Sequence, residues 1–153
     1  MRVAPEAGGP RFVDSSFIIR YLTGDLPALS DAAAAIIDGE AQLVLTELVL
    51  VETAYVLESV YQVPRGDVVD ALGALMQRSN IVPLGLPKAM ILSALELCRG
   101  SRRVSFVDAL TWAQARHAHA GHVYTFDRRF PADGVAAGPT CETTTRSGAD
   151  AGA

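Results

Sequence analysis

The sequence predicts a three-layer α/β/α domain with a central parallel sheet of four to five strands. Short apolar segments typical of strands alternate along the chain with longer segments of helical periodicity, as in sheets built from strand–helix–strand units. The strand segments are apolar without interruption, which is typical of parallel strands covered on both faces. In such sheets the residues that do chemistry gather outside the carboxyl ends of the strands, so polar side chains there are the candidates for function.

The first half of the chain contains two predicted strands and three predicted helices. The strand RFVD leads directly into the helix SSFIIRYLTG, which Gly24 is expected to end. We expect Ser30 to be the N-cap of the alanine-rich helix SDAAAAIIDG, which Gly39 terminates. QLVLT is the second strand, and a helix over about 47–60 follows it.

The second half predicts three more helices and the remaining strands. A helix begins near Pro64 in PRGDVVDALGALMQRS, and NIVPL is a strand. Gly100 is expected to stop the helix LPKAMILSALELCRG. The next helix, SFVDALTWAQARHAHAG, has Ser105 as its N-cap and Gly121 as its C′ residue. HVYTFD is the last clear strand, and 135–137 is a candidate for a fifth strand at the edge.

Composition limits the organisation of the chain. Both ends of the 153 residues are poor in core formers, so we expect flexible segments at 1–10 and 137–153 around one domain at 11–136. With 50% hydrophobic and 20% charged residues, disorder of the whole chain is excluded. The most apolar stretch, 43–57, is too short to span a bilayer. Because no apolar run precedes residue 11, the sequence predicts a cytoplasmic protein that makes no membrane contact.

Charge is unevenly distributed along a chain whose formal net charge is −4. From residue 11 to residue 98, five basic residues stand against eleven acidic ones, whereas 99–129 has six arginines and two acids. The acidic total argues against a general nucleic-acid binder, but the locally basic segment could bind phosphates. Solvated arginines on helix faces are the ordinary alternative.

Four carboxylates are predicted to lie near the same edge of the sheet. Asp14 and Asp127 end the first and last clear strands, while Glu52 and Asp108 lie in the first turns of helices. Glu52 is the only charge in LVLVETAYVL, where an unpaired buried carboxylate would be costly. Ordinary roles remain open, namely helix capping for Asp14 and Asp108 and a turn for Asp127. Clustered carboxylates repel one another, and a hard divalent cation such as Mg²⁺ or Mn²⁺ would relieve that repulsion.

The segments FVDSSFIIRYL, LVLVETAYVL, SFVDALTWAQAR and VYTFDRRF together resemble the PIN domain, in particular the small VapC-type toxins of prokaryotic toxin–antitoxin pairs. The acids are separated by 38, 56 and 19 residues, and the resemblance covers about residues 11 to 136. It implies a metal-dependent ribonuclease in which Mg²⁺ or Mn²⁺ is held by the catalytic acids Asp14, Glu52, Asp108 and Asp127. The ion would activate a water that attacks the RNA backbone.

The resemblance also implies roles for residues around the acids. Ser15, Ser16 and Thr125 match small hydroxyl residues that support the acids. Glu47 is a second acid five residues before Glu52, and whether it joins the site is left open. Five arginines flank Asp108 and Asp127 in sequence and are expected to bind RNA phosphates: Arg99, Arg102, Arg103, Arg128 and Arg129.

Two protein partners are expected from the same resemblance. One is a cognate VapB-type antitoxin, for which the first two helices offer a receiving surface in the apolar residues Phe17, Ile18, Tyr21, Leu22, Ala32, Ala33, Ile36 and Ile37. The other is a second copy of the chain in a homodimer.

Other α/β phosphate-handling classes fit the sequence less well. A receiver domain needs paired acids after its first strand and a late lysine, but FVDSS has one acid and the only lysine is Lys88. A haloacid-dehalogenase-type phosphatase needs DxDxT, where this chain has DSSFI. The remaining alternative is a catalytically inactive PIN-like module that binds RNA or protein. The RNA sequence that a nuclease of this kind would cut is not predicted.

Overall fold

The structure of the chain is a computed structural model that describes residues 8–140. Strands and helices alternate in that range as the sequence predicts. In chain order the elements are β1 (Arg11–Phe12), α1 (Ser15–Thr23), α2 (Pro27–Ile37), β2 (Leu43–Leu45), α3 (Glu47–Ser59), α4 (Arg65–Gln77), β3 (Ile81–Pro83), α5 (Lys88–Arg99), α6 (Phe106–His117), β4 (His122–Tyr124) and β5 (Ala136–Gly138). Most of the predicted flexible segments, 1–10 and 137–153, lies outside the described residues.

The strands are all parallel, but they form two sheets rather than the predicted single sheet of four to five strands. One sheet has the order β1-β2-β3, with Phe12 opposite Val44 and Val44 opposite Val82. The other pairs β4 with β5, with His122 opposite Ala136. The single-sheet prediction is therefore wrong for the described residues. β1 is only two residues long before the chain turns into α1, so it has few backbone groups with which to pair a second neighbouring strand in addition to β2.

Several helices begin or end at the residues that the sequence predicts. Gly24 follows α1 in the left-handed conformation, with φ 65°, and its amide donates to the carbonyl of Arg20. This is a backbone conformation that glycine adopts at little cost. Ser105 is the N-cap of α6, as predicted. α3 covers nearly the predicted range, and Thr46 caps its start by accepting a hydrogen bond from the amide of Val49.

Two predicted helix ends are wrong. α2 begins at Pro27, so Ser30 lies inside the helix instead of capping it, because proline has the φ that the first helical position requires. α6 ends at His117, and His119, not Gly121, adopts the left-handed conformation beyond it, with φ 53°. Gly121 therefore belongs to the connection that leads to β4.

The hydrophobic core lies where β2 and β3 meet the inward faces of the helices. Its largest fully buried side chains include Leu43, Leu45, Leu72, Met76 and Ile91. α4, α5 and α6 pack against one another in succession, while α1 packs against α2 and α3. No helix within residues 8–140 combines the length and the apolar character that crossing a bilayer demands. Because β1 and β2 are parallel neighbours, the helices that follow them begin at the same edge of the sheet.

Candidate active site

Asp14 is held at the start of α1 by the two residues that follow it. It has extended backbone and is the N-cap of the helix, where its Oδ1 accepts a hydrogen bond of 2.7 Å from the Ser15 amide. The Ser16 hydroxyl donates to Oδ2 at 3.0 Å. These donors, the Ser16 hydroxyl first and the Ser15 amide next, hold the pKa of Asp14 below its ordinary value of 3.8. Asp14 is therefore an oriented, ionised carboxylate at the carboxyl end of β1.

Ser15 links Asp14 to Glu52. The Ser15 hydroxyl donates a hydrogen bond of 2.8 Å to Oε2 of Glu52 and lies 3.4 Å from Oδ1 of Asp14. Ser15 itself is buried. Since Asp14 follows β1 and Glu52 lies on the helix after β2, the parallel pairing of these strands is what brings the two acids to one hydroxyl.

Glu52 is exposed, contrary to the expectation that its apolar neighbours bury it. Leu48 and Tyr55, one turn before and one turn after it, are themselves 82% and 69% exposed. The apolar segment around Glu52 is thus partly an outward face of α3. Glu47 on the same helix has a different contact, because its Oε1 accepts a hydrogen bond of 3.2 Å from the amide of Leu86. Glu52, rather than Glu47, is the acid beside Ser15.

Asp108 lies in the first turn of α6, half-buried. Its amide donates a 3.0 Å hydrogen bond to the hydroxyl of Ser105. The loop before this helix is held by Arg65, whose Nη1 donates to the carbonyls of Ser101 and Val104 at 3.2 and 2.8 Å. The start of α6, and with it Asp108, is therefore fixed from α4.

Arg65 makes further contacts that hold it in place. It forms a two-pronged ion pair with Glu58 at 2.8 and 3.1 Å, and both side chains are largely buried. Its guanidinium also lies 4.9 Å from the centre of the Phe106 ring. The pair thus connects the end of α3 to the loop before α6. No sequence motif marked Arg65 as important.

Asp127 follows β4 in a turn that Thr125 and Arg129 stabilise. The Asp127 amide donates to the Thr125 hydroxyl at 3.0 Å. Both carboxylate oxygens accept hydrogen bonds from Arg129, at 2.8 Å from its amide and 3.1 and 3.2 Å from its guanidinium. These bonds from Arg129 hold the pKa of Asp127 below its ordinary value. Hydrogen bonding with Asp127 raises the pKa of Arg129, and the charge of Asp108 adds to that rise.

Of the four acids, Asp14 and Glu52 are linked through the Ser15 hydroxyl, whereas Asp127 is bound to Arg129 and Asp108 lies in the first turn of α6. Within residues 8–140 no three His, Cys, Asp or Glu side chains converge closely enough to hold a metal ion. The donor chemistry of Asp14 and Glu52 fits a hard divalent cation, since both offer carboxylate oxygens and one is ionised. Asp127 is already neutralised by Arg129.

The five arginines that were expected to bind phosphates differ in their surroundings. Arg99 donates to Asp70 and Glu96 at 2.7 and 2.8 Å on the outer face of α4 and α5, and these bonds raise its pKa. The guanidinium of Arg99 is thus engaged away from the acids, and Arg129 is bound to Asp127. The other three are exposed: Arg102, Arg103 and Arg128.

The expected docking surface on α1 and α2 is only partly exposed. Phe17 and Ile36 are exposed and line a groove of about 320 Å³ that also touches Phe12 and Asp14. Ala32 is exposed as well, Tyr21 and Leu22 are half-buried, and the rest of the set is buried in the core: Ile18, Ala33 and Ile37.

Sequence reasoning missed two exposed apolar features. One is a groove of about 530 Å³ between α3 and α6, lined by Leu48, Tyr55 and Val107 among others and by Glu52. The other consists of Tyr124 and Phe126, which are 71% and 93% exposed beside Asp127. HVYTFD was interpreted as a strand covered on both faces, but its aromatic residues stand at alternate positions, which is the pattern of a strand with one open face.

Comparison with known families gives one match. The model of the family described as PIN domain matches residues 11–133, which include all four acids. Neither a curated protein nor a solved structure matches the chain significantly.

Proposed function

The chain belongs to the PIN domain family, whose members are generally metal-dependent nucleases, and on that premise we propose that it is a Mg²⁺- or Mn²⁺-dependent endoribonuclease, the toxin of a type II toxin–antitoxin pair. The observation that carries this proposal is the link between Asp14 and Glu52 through the Ser15 hydroxyl. Two carboxylates held at one hydroxyl, at the carboxyl edge of a parallel sheet, are suited to binding a divalent cation.

In this proposal Asp14 and Glu52 would hold the ion, and Asp108 would have to approach from α6 when the ion binds, since no three acids converge within residues 8–140. A bound ion would supply an activated water and stabilise the charge that develops on the phosphate oxygens. Ser15 orients Glu52, and Ser16 keeps Asp14 ionised. These hydroxyls fix the acids before any substrate binds, so little reorganisation is needed.

The basic residues beside Asp127 and in the loop before α6 are proposed to position the RNA. Arg129 is bound to Asp127, and its neighbour Arg128 is exposed. Arg102 and Arg103 are exposed in the loop before α6. Their charges would neutralise backbone phosphates on either side of the scissile bond. Arg99 is a weaker candidate because Asp70 and Glu96 already neutralise it.

A VapB-type antitoxin is proposed to bind the groove between β1, α1 and α2. The exposed side chains of Phe12, Phe17 and Ile36 would pack against an apolar segment of the antitoxin. Asp14 also lines this groove. A basic residue of the antitoxin could therefore pair with this carboxylate and compete with the metal.

A homodimer is proposed to form through the groove between α3 and α6. Leu48 and Tyr55 protrude on the same face that carries the groove. A face with both a protrusion and a recess can be complementary to itself, as a two-fold interface requires. The side chains of one copy would then fill the groove of the other.

The alternative function is a catalytically inactive PIN-like module that binds RNA or protein. Two observations favour it: no three acids converge within residues 8–140, and Asp127 is paired with Arg129. Such a module would bind RNA but would not cleave it, whichever divalent metal ion is added.

Cleavage of RNA by the purified protein separates the two functions. We expect the wild-type protein to cleave RNA in the presence of Mn²⁺ and EDTA to stop the cleavage. Asp14→Asn should abolish cleavage, because asparagine can still cap α1 but lacks the negative charge. Asp31→Asn removes the same charge from an exposed position on α2 and should cleave normally. If the wild-type protein binds RNA but leaves it intact in both Mg²⁺ and Mn²⁺, the inactive module is the correct function.

A further inference from the structure

Three aromatic residues stand at alternate positions at the end of the second sheet. His122, Tyr124 and Phe126, which we call the aromatic row, stand two residues apart; His122 and Tyr124 are the first and last residues of β4, and Phe126 lies two residues beyond its end. The rings of His122 and Tyr124 have centroids 4.7 Å apart and are tilted by 54°. Tyr124 and Phe126 are among the most exposed large apolar side chains between residues 8 and 140. The hydrophobic core includes neither of them.

Hydrogen bonds hold the backbone on both sides of Phe126. Before it, the Thr125 amide donates to the carbonyl of Gly138 at 3.1 Å and so extends the pairing of β4 with β5. After it, the Asp127 amide donates to the Thr125 hydroxyl, and the Phe130 amide donates to the carbonyl of Asp127. The exposed Phe126 ring is therefore attached to a well-fixed segment of backbone, which limits the entropy lost when the ring meets a ligand.

The row ends at charged residues. Asp127 comes next in the chain, followed by the exposed cations Arg128 and Arg129. The guanidinium of Arg129 is bound to the Asp127 carboxylate. Exposed aromatic faces beside arginines are the combination with which proteins bind single-stranded nucleic acid, because every base has a face for stacking and every linkage a negative phosphate.

We propose that Tyr124 and Phe126 stack bases of single-stranded RNA next to the acidic site, with Arg128 binding a phosphate alongside. This proposal rests on the ribonuclease function and names how that site binds its substrate. A protein partner is the weaker choice for this surface, because the row borders on two arginines, whereas the apolar grooves suited to protein segments lie between β1, α1 and α2 and between α3 and α6. Stacking on these rings would bring the adjoining phosphate towards Asp127, the next residue in the chain.

Binding of a fluorescein-labelled single-stranded oligoribonucleotide in EDTA, where no cleavage occurs, tests the stacking. Phe126→Leu keeps an apolar side chain but removes the ring, so the dissociation constant should rise about 5- to 150-fold, the range for loss of one stacked base. Phe126→Tyr restores a ring and should restore the affinity. Leu29→Ala removes an exposed apolar side chain from α2, outside both grooves, and should leave binding unchanged. An abasic oligomer with the same number of phosphates should bind Phe126→Leu and the wild type equally.

A spectroscopic test uses Phe126→Trp. Trp112, the only native tryptophan, is buried and donates its Nε1 hydrogen to the carbonyl of Asp133, so a new indole at position 126 reports separately on the row. The oligoribonucleotide should quench the added fluorescence, and the abasic oligomer should not.

The outcomes separate the stacking from the ribonuclease function. Equal affinity of Phe126→Leu and the wild type for the oligoribonucleotide would overturn the stacking, even if Mn²⁺-dependent cleavage is found, and failure of the wild type to bind the oligomer would overturn it as well. If the affinity for RNA depends on Phe126 but the protein cleaves no RNA in the presence of Mn²⁺, base stacking on the aromatic row would be supported and the ribonuclease function contradicted.

Discussion

Ser15 is the residue on which the geometry of the acidic site depends most. Its amide donates a hydrogen bond to Asp14 and its hydroxyl donates one to Glu52, so a single buried residue fixes the relation between the two acids. Sequence reasoning placed Ser15 beside the acids from the family resemblance. Its contact with an acid 37 residues away depends on the parallel pairing of β1 and β2.

Ser15→Ala should therefore weaken the site more than the fold. Loss of the hydrogen bond to Glu52 should lower the free energy of unfolding by about 1 kcal/mol, the typical net value of such a bond. The increase in Tm that Mn²⁺ produces should shrink, because Glu52 is no longer oriented. Thermal melts with and without Mn²⁺ measure both effects.

Ser93→Ala is the matched control, since this hydroxyl binds only the carbonyl of Ala89 on an exposed face of α5. It should leave the Mn²⁺-dependent increase intact. An undiminished increase in Ser15→Ala would show that the contact with Glu52 does not prepare a metal site.

At the scale of elements, the ends of α1 and α3 are joined by a polar cluster. Asp25, after α1, accepts hydrogen bonds from the Tyr61 hydroxyl at 2.7 Å and from Arg20 and Thr23. The bonds from Tyr61 and Arg20 lower the pKa of Asp25 from 3.8 to about 2. A carboxyl whose pKa is lower in the folded state stabilises the fold fully above its unfolded pKa and loses this effect as the pH falls through the folded value.

Asp25→Asn should thus be less stable than the wild type at pH 6, and the difference should shrink as the pH falls from about 4 to about 2. Urea unfolding at a series of pH values measures the two curves. Asp31→Asn, at an exposed position on α2, is the control for loss of one charge. Parallel curves for Asp25→Asn and the wild type between pH 4 and pH 2 would mean that the cluster does not form in solution.

The ion pair of Glu58 and Arg65 joins α3 and α4 to the loop before α6. Arg65→Met keeps the length of the side chain but leaves a largely buried Glu58 unpaired, which should cost roughly 3–5 kcal/mol in urea unfolding. Arg99→Met breaks an exposed pair and should cost no more than about 1 kcal/mol. Similar small losses in both variants would contradict the role of Arg65 as the anchor of that loop.

At the scale of the whole molecule, the order of elements and most of their limits could be predicted, because apolar periodicity, caps and glycines act locally. Gly24 and Ser105 are confirmed in their predicted positions, since each depends only on its own segment. The division into two sheets could not be predicted. β1 has only two residues, and the strand with which it pairs is determined by residues far away in the chain.

The surroundings of the four acids could not be predicted from the sequence. Apolar neighbours led to the expectation that Glu52 is buried, whereas an outward apolar face on α3 makes it exposed, and a sequence does not tell a core face from a docking face. The contacts of Arg65 and Arg99 likewise depend on tertiary packing. The order and spacing of the four acids carried the family resemblance, and the PIN domain match over residues 11–133 confirms the family.

The most direct test of the account compares two acids on one helix. Glu52 and Glu47 are both on α3, but Glu52 binds Ser15 beside Asp14, whereas Glu47 binds the Leu86 amide. The measurement is the initial rate of cleavage of a fluorogenic RNA in saturating Mn²⁺ by Glu52→Gln, Glu47→Gln and the wild type. We expect Glu52→Gln to lose at least about 100-fold in rate, comparable to removal of one group that stabilises the transition state, and Glu47→Gln to stay near the wild-type rate. Equal rates for Glu52→Gln and the wild type would contradict a site built on Asp14, Ser15 and Glu52.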